Sequence, residues 1–475
     1  MKLLLPSSVL ISIAASILSV NLLVACGGGS ASSATTSNSA SDSATTNNDA
    51  PATENTTSNT TAITLKSQGT SLQVPSSLQT GTFASQKSMQ IAEGYAIRLE
   101  ATVGGARFMA LASNGDLLVS NPGAGQITLL RFDSNGLLQS KYIFAQGLKN
   151  PQDMVFYIQG GKTYLYIAES NRIIRSVYQT GSTQIGNKEV IVSNLPDASS
   201  AELNGAYGHQ LKNIAVDHDK LFVAIASTCN ACESDVVSDP IRNAIYEYDL
   251  TGANRRLVAR GLRNVEGLAF RPGTQELWVS VNNRDNIAYP FHHDWDGDGK
   301  DDYGRVMQSY VDGHPPDLLT QIKDGGNYGW PYCNSNPDAG LNNMPFDLDV
   351  QFNADGSKLD CSKADRITRG LPPHSAALGI SFANNAGLPA PLNNGIFVAL
   401  HGCWNCTAFN GHKVVYYPLL ADSTLGDSVD LVSGFVTDPN NKSRWGRPVD
   451  VIADGKGGLF ISDDMAGAIY RFYPK

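Results

Sequence analysis

One pattern recurs six times along the chain: an apolar strand, a polar turn, and a second apolar strand that ends in small or polar residues. The strands are apolar at nearly every position, which is typical of strands buried on both faces of a sheet. Turn sequences such as Asn114-Gly115 separate the two strands, so each copy predicts a β-hairpin. The copies begin at Phe108, Asp153, Asn213, Gly267, Gly379 and Val451.

Further strands follow most copies, for example "QITLLRFD" after the first and "GAIYRFYP" after the last. Sheets arranged around a ring bury both faces and leave only short edges, which allows a single domain to exceed the usual size. We therefore predict an all-β fold, a six-bladed β-propeller with long inter-blade loops, over residues 81–475. The longest interval, residues 270–375, is the loop region most suited to carry function. A pair of β-sandwich domains is the alternative architecture.

The N-terminus reads "MKLLLPSSVLISIAASILSVNLLVAC", a lysine followed by an apolar stretch and small residues, which indicates a secretory signal. Leu23–Cys26 resembles a bacterial lipobox, so we expect cleavage after residue 25 and a lipid on Cys26. A simple signal peptide that is cut nearby is the alternative. Residues 26–80 are assigned to a disordered Ser/Thr/Asn-rich tether. The expected location is the periplasmic face of a bacterial membrane, the outer membrane in particular, with the lipid as the only membrane contact.

The formal charge of −9 and the pI near 5.4 argue against nucleic-acid binding, which requires a basic surface. Six cysteines remain when Cys26 is set aside, an even number in an exported chain, and this favours disulfides. The two CxxC units, Cys229–Cys232 and Cys403–Cys406, are each short enough to close locally, which leaves Cys333 to pair with Cys361. A zinc site built from the two CxxC units is the alternative.

Several segments, in their order along the chain, resemble the soluble quinoprotein aldose and L-sorbosone dehydrogenases. They include "GHQLKNIAVD", "GLRNVEGLAF", "PPDLLTQIKDGGNYGWPYC", "PPHSAALGISF", "FVALHGCWN" and "RWGRPVDVIADGKGGLFISDDMAGAIYRF". The resemblance covers nearly all of the chain after about residue 85. It implies a six-bladed propeller that binds pyrroloquinoline quinone (PQQ) and calcium and oxidises a sugar or sugar aldehyde by hydride transfer to the quinone.

PQQ carries three carboxylates, and forked guanidinium donors suit them better than lysine does. The resemblance makes Arg263, Asn264, Arg444 and Arg447 cofactor-binding residues. It also implies a histidine base that removes the proton of the substrate hydroxyl, and His209 matches that position best. Ser227 and Thr228 stand where the aldose enzymes have an Asp that orients the base. His374 and His401 face the channel in the family motifs, so they are expected cofactor contacts and rival bases.

Two calcium sites are predicted. The resemblance places the catalytic calcium at the loop "SVNNRD", with the carbonyls of Asn283 and Arg284 as donors and Asp285 as a nearby carboxylate. Independently, "DWDGDGKDDYG" has the spacing of an EF-hand-like loop, with Gly299 at the sharp sixth position, although Arg305 replaces the closing Glu. Its carboxylates are Asp294, Asp296, Asp298 and Asp302.

The leading hypothesis is thus a PQQ- and calcium-dependent sugar or sorbosone dehydrogenase that passes electrons to an unknown acceptor. A calcium-dependent sugar-lactone hydrolase of propeller fold is the first alternative. That chemistry needs several carboxylates on a central metal, and "NNRD" offers one. A propeller that binds a ligand without chemistry is the second alternative.

Overall fold

The strands form six blades around a ring, and consecutive strands of a blade are hydrogen-bonded neighbours. The computed structural model describes residues 65–384 and 387–475. The signal sequence 1–25, Cys26 and the tether up to residue 64 lie outside the described residues. The chain enters the fold through β1 (Ser67–Ser71), β2 (Ser88–Ala92) and β3 (Tyr95–Thr102).

The first three blades follow one another directly. Blade 1 consists of β4 (Met109–Leu111), β5 (Leu117–Asn121), β6 (Gln126–Phe132) and β7 (Leu138–Ala145). Blade 2 consists of β8 (Met154–Gln159), β9 (Lys162–Glu169), β10 (Arg172–Val177) and β11 (Glu189–Val192). Blade 3 consists of β12 (Asn213–Asp217), β13 (Lys220–Ile225), β14 (Ala244–Asp249) and β15 (Arg256–Arg260), with the short helix α1 (Glu233–Val236) between β13 and β14.

Blade 4 carries the long excursions. It begins with β16 (Asn264–Phe270) and β17 (Leu277–Asn282), and after the helix α2 (Gln308–Val311) it continues with β18 (Pro316–Gln321). An insertion then contributes β19 (Gly326–Asn327), β20 (Cys333–Ser335), β21 (Asn342–Met344) and β22 (Phe346–Leu348) before β23 (Ile367–Pro373), the fourth strand of the blade. β21 pairs with β23 and forms the outer edge. Short 3₁₀ turns lie at Ser76–Leu78, Gly81–Phe83, Ala201–Leu203 and Cys361–Lys363.

The last two blades complete the ring. Blade 5 consists of β24 (Ala377–Phe382), β25 (Gly395–Leu400), β26 (Lys413–Pro418) and β27 (Val429–Ser433). A two-stranded ribbon follows, β28 (Val436–Asp438) with β29 (Ser443–Arg444). Blade 6 consists of β30 (Pro448–Ala453), β31 (Leu459–Asp463), β32 (Ala468–Pro474) and, as its outer strand, β3.

The first strands of the blades line the axis of the ring. β4 contacts β8, and in turn β12, β16, β24 and β30 follow, until β30 returns to β4. Each predicted hairpin supplies the first two strands of one blade, so the six-bladed propeller is confirmed. No helix in the described part of the chain is long and apolar enough to span a membrane.

The ring is closed by the two ends of the fold. β3 pairs antiparallel with β32, from Tyr95 opposite Pro474 to Thr102 opposite Ala468. β2 pairs with β27 and β1 pairs with β2, so these strands extend blade 5. Leu72, which lies in this N-terminal segment, is buried in a hydrophobic core cluster. The predicted tether therefore ends too late: residues 65–80 belong to the folded domain.

Neighbouring blades are joined by buried polar groups at equivalent positions. The Ser120 hydroxyl donates to the carbonyl of Gln152 in the next blade (2.6 Å), and the Ser462 hydroxyl donates to the carbonyl of Arg107. Asp153 accepts the backbone N–H of Ile214 (2.9 Å), and Asp450 accepts that of Met109 (2.9 Å). Because buried polar groups need partners, these bonds fix how the inner strands meet around the axis.

Three disulfides are present: Cys229–Cys232, Cys333–Cys361 and Cys403–Cys406. The predicted pairing is confirmed, and the zinc alternative is excluded because each CxxC unit closes on itself. Cys333–Cys361 braces the insertion of blade 4, whereas the two short loops follow the second strands of blades 3 and 5.

Candidate cofactor site and active site

Arg263 lies at the start of β16, where it is 6% exposed. Its Nε donates to the carbonyl of Asn230 (3.2 Å), and its terminal nitrogens donate to the carbonyl of Asn283 (2.8 Å) and to Oδ2 of Asp285 (2.9 Å). Burial lowers the pKa of Arg263, although the carboxylate of Asp285 opposes this effect. We call Asn230, Arg263, Asp285 and His374 the Arg263 cluster.

Asn230 holds Asp285 in place within this cluster. Its side-chain amide donates to the carbonyl of Asp285 (2.8 Å) and accepts the Asp285 N–H (2.8 Å). Because Asn230 lies between Cys229 and Cys232, a loop of blade 3 fixes a residue of blade 4.

His374 lies on the other side of Asp285. Its Nε2 faces the carbonyls of Val311 (2.8 Å) and His314 (3.1 Å), and its Nδ1 lies 3.6 Å from Oδ1 of Asp285. Burial favours the neutral ring, but the nearby carboxylates of Asp285 and Asp317 outweigh it and raise the pKa of His374. With acceptors facing both nitrogens, His374 has no open lone pair, so it does not fit the role of a base.

His209 is the better candidate for the base. Its Nδ1 faces the carbonyl of Ser227 (2.9 Å), which only accepts, so Nδ1 carries the proton and the lone pair lies on Nε2. No hydrogen bond to Nε2 is present within residues 65–384 and 387–475. Burial, followed by the charge of Arg263, lowers the pKa of His209 to about 4. The orienting group is thus chiefly the Ser227 carbonyl, and the Thr228 hydroxyl instead bonds Asp235 (3.0 Å).

Arg447 lies between blades 5 and 6. Its Nε donates to the carbonyl of His401 (3.0 Å) and its NH2 to that of Gly402 (3.0 Å). Gly402 has φ +95°, and a Cβ there would lie 2.0 Å from the ring of His412, so only glycine fits. His401 itself donates from Nε2 to Asp464 (2.9 Å). Burial lowers the pKa of His401 to about 4.

Arg444 extends this second group. Its NH1 donates to Nε2 of His412 (3.2 Å), and its guanidinium lies 4.5 Å from the ring centre of Phe409. An open groove of about 650 Å³ lies beside Arg444 and Arg447. Three guanidinium groups and one carboxylate line it, those of Arg107, Arg444, Arg447 and Asp464. We call this the Arg447 groove.

A chain of side chains crosses the channel between the two groups. Asn264 donates to Glu266 (3.0 Å), and Gln152 donates to the other oxygen of Glu266 (3.3 Å). Arg107 then donates to Gln152 (3.4 Å) and to Asp464 (3.0 Å), which receives His401. The links come from blades 4, 2, 1, 6 and 5.

Residues 89–474 match the model of the TrAA12-like family. The chain belongs to the TrAA12-like family. The pyrroloquinoline quinone-dependent pyranose dehydrogenase of Coprinopsis cinerea is 24% identical over 431 residues, which cover 80% of this chain and 54% of that protein. The chain therefore spans about half the length of this curated relative.

Two solved structures share the fold of this TrAA12-like chain. The holo form of the pyranose dehydrogenase PQQ domain from Coprinopsis cinerea has a TM-score of 0.64 at 18% identity, covering 82% of this chain and 97% of that one. The calcium structure of the Trichoderma reesei family AA12 enzyme has a TM-score of 0.65 at 19% identity, covering 81% and 96%.

Sequence reasoning missed Arg107, Gln152 and Glu266 in this TrAA12-like chain. Arg107 stands just before the first strand of blade 1, as Arg263 stands before that of blade 4, so the shared position was a usable signal. Gln152 and Glu266 gave no comparable signal, because their importance depends on contacts between distant blades. Asn230 was hidden within a CxxC unit that had been assigned only a structural role.

Proposed function

We propose that this protein is a PQQ-dependent dehydrogenase that oxidises a sugar or sugar aldehyde. The main support is the Arg447 groove, in which three guanidinium groups face one carboxylate beside a space of about 650 Å³. Such a surplus of positive charge suits a small polycarboxylate. The similarity to a PQQ-dependent pyranose dehydrogenase and to its PQQ domain supports the same function.

The residues of the groove fit PQQ. Nε of Arg444 is buried without a hydrogen-bond partner in the described part of the chain, so a donor there is left for a ligand. The charge of Arg444 adds to burial in lowering the pKa of Arg447 to about 10, so an anion between the two would relieve their repulsion. Arg107, Arg444 and Arg447 would hold the carboxylates, with Arg263 and Asn264 at the opposite side of the channel.

The chemistry of the proposed reaction divides between cofactor and protein. PQQ, when bound, supplies the ortho-quinone that accepts a hydride. His209 accepts the proton of the substrate hydroxyl at Nε2, since its other nitrogen is held by Ser227. His401 is the rival, because its Nε2 is engaged with Asp464 while no bond to its Nδ1 is present among the described residues. Burial, together with the charge of Arg263, lowers the pKa of His209 and so keeps its ring neutral before it accepts that proton.

The loop of Asn283, Arg284 and Asp285 does not fit the predicted catalytic calcium. The carbonyl of Asn283 already accepts from Arg263, and the two oxygens of Asp285 face Arg263 and His374. The Arg284 side chain is buried and pairs with Asp349. A divalent cation here would be repelled by the cationic side chains of Arg263 and Arg284, so we derive no step through calcium.

The acidic loop fits a cation better. Ligand atoms of Asp294, Asp296 and Asp302 lie within 4.8 Å of one another, close enough to share one cation, and calcium takes oxygen ligands of this kind. Asp298 lies outside this group and pairs with Lys300 (3.0 Å), whereas Arg305 pairs with both Asp296 (3.4 Å) and Asp302, so a cation here would have to displace Arg305. We retain a structural calcium at the three grouped carboxylates as part of the proposal.

Location and partners complete the proposal. We infer an exported lipoprotein, cleaved after residue 25 and anchored through Cys26 on the periplasmic side, with a tether that reaches to about residue 64. The substrate class is a small sugar or its aldehyde, including sorbosone, and a separate electron acceptor reoxidises the cofactor.

Titration of the cofactor-free protein with PQQ, with and without calcium, tests the proposal. A saturable absorbance change that an aldose or sorbosone then bleaches is the expected result. A protein that binds PQQ without bleaching by any sugar or aldehyde would be a binding module. Absence of PQQ binding together with lactone hydrolysis would favour the hydrolase.

A further inference from the structure

The two short disulfide loops lie at the same end of the channel as the proposed cofactor site. Cys229–Cys232 follows β13 in blade 3, and Cys403–Cys406 follows β25 in blade 5. A disulfide that links residues only three apart removes little freedom from the unfolded chain, so these two contribute less to global stability than a long loop does. We therefore expect these two disulfides to act mainly on the local geometry of the residues around them.

The first loop fixes Arg263. Asn230, inside the loop, accepts Nε of Arg263 with its carbonyl (3.2 Å) and brackets the backbone of Asp285 with its amide. The same carbonyl accepts the indole N–H of Trp330 (3.1 Å). The loop thus sets both the arginine and the carboxylate that pairs with it.

The second loop directly follows the residues that bind Arg447. The carbonyls of His401 and Gly402, the two residues before Cys403, receive both hydrogen bonds that the Arg447 side chain donates to the described protein. The N–H of Cys403 donates to the carbonyl of Asn410 (3.2 Å). That carbonyl also holds His412, which contacts Arg444. The residues that orient the two arginines of the groove therefore flank the closed turn, with His401 and Gly402 before it and Asn410 and His412 after it.

The third disulfide offers a contrast. Cys333–Cys361 encloses residues 334–360, and none of these bonds Arg263, Arg444 or Arg447 within the described ranges. The enclosed segment instead contacts Arg284 through Asp349. It closes a long loop and is expected to act on stability.

We propose that the Cys229–Cys232 and Cys403–Cys406 loops are positioning devices: the second holds Arg447 in the geometry that binds the anionic cofactor, and the first holds the Arg263 cluster, the anchor of the opposite side of the channel. This proposal rests on the proposed function for the identity of the anion. Preorganised donors lose less freedom on binding, so the oxidised loops raise cofactor affinity. Reduction by a dithiol such as dithiothreitol transfers two electrons to each disulfide, yields two thiols and the cyclic oxidised dithiol, and releases the loop.

Three double variants test the idea beside the wild type: Cys229→Ser with Cys232→Ser, Cys403→Ser with Cys406→Ser, and the control Cys333→Ser with Cys361→Ser. We expect each short-loop variant to raise the PQQ dissociation constant about tenfold with a thermal midpoint close to wild type. The control should lower the thermal midpoint and leave the dissociation constant within about twofold. Unchanged PQQ affinity in both short-loop variants would overturn the proposal.

A second measurement needs no cofactor. Hydrogen exchange of arginine Nε–H groups, followed by NMR in the cofactor-free protein, should show loss of protection at Arg263 in the first variant and at Arg447 in the second. Retained protection in both would refute the positioning role even if wild-type protein bound no PQQ. If wild type bound no PQQ while the protection changed as expected, the proposed function would fail and the positioning role would stand.

Discussion

The Arg263 cluster and the Arg447 groove both contain buried or half-buried arginines, yet their charges are balanced differently. Arg263 already donates from all three nitrogens and faces the carboxylate of Asp285. The Arg447 groove holds three guanidinium groups and one carboxylate beside an open space. The comparison shows that an arginine at a strand entrance is not by itself an anion site. The number of local counter-charges distinguishes an internal anchor from a ligand-binding group.

The largest expected effect separates chemistry from binding. If the proton is taken beside the Arg263 cluster, His209→Ala lowers kcat by about 10²- to 10⁴-fold, because a positioned base contributes that much. The PQQ dissociation constant should stay near wild type, as measured by absorbance titration. His401→Ala is the matched variant from the Arg447 groove, and a larger loss of kcat there than in His209→Ala would transfer the base to the groove.

Removal of Arg263 is expected to lower the free energy of unfolding, and not only the affinity for a ligand. Arg263→Ala leaves Asp285 in a low-dielectric setting with only His374 as partner, and breaking a buried ion pair costs about 3–5 kcal/mol of unfolding free energy. Urea unfolding of the cofactor-free protein measures this loss. Arg263→Ala combined with Asp285→Ala should recover part of it, and equal losses in the single and double variants would argue against the anchor role.

Arg447→Ala should show the opposite behaviour. We expect the PQQ dissociation constant to rise about 100-fold, roughly 2.7 kcal/mol, because the groove loses one of its three guanidinium groups. The unfolding free energy should change by less than about 1 kcal/mol, because the repulsion from Arg444 disappears together with two hydrogen bonds. Arg131→Ala, which removes an ion pair with Asp116 in blade 1, is the control and should leave PQQ binding unchanged.

The smallest effect is a difference in pH dependence. Burial lowers the pKa of His401 and His412 to about 4, below the value near 6.5 of an unfolded histidine. Their contribution to stability is complete above pH 6.5 and is lost as the pH falls towards 4, by at most about 1.4 kcal/mol per pH unit for each ring. The raised pKa of His374 acts in the opposite sense: its contribution is present below pH 6.5 and is lost as the pH rises through that pKa.

Urea unfolding of the cofactor-free protein at several values between pH 7 and 4 checks this difference. His412→Gln should reduce the slope of unfolding free energy against pH in this range, while His218→Gln, at an exposed site, serves as the control. A slope that His412→Gln leaves unchanged would show that another group titrates.

The fold was largely predictable because the burial of both strand faces leaves a local trace in each hairpin. Closure through β3 was not, since "YAIRLEAT" shows a strand but not its distant partner. At the site, sequence motifs identified Arg263 and Arg447, but they did not identify the residues to which these arginines are hydrogen-bonded. Asp285 was assigned to a metal from its position in a loop, but the nearness of Arg263 and His374 depends on packing between blades 3, 4 and 5.

Closure of blade 6 has a consequence for how the protein matures. In chain order β3 comes before blade 1, but its partner β32 comes after the strands of all the other blades. Until β32 has been made, β3 is an unpaired edge strand. The ring that contains Arg447, just before β30, is still open at that stage. Closure of the ring, and with it completion of the Arg447 groove, should consequently come late in folding.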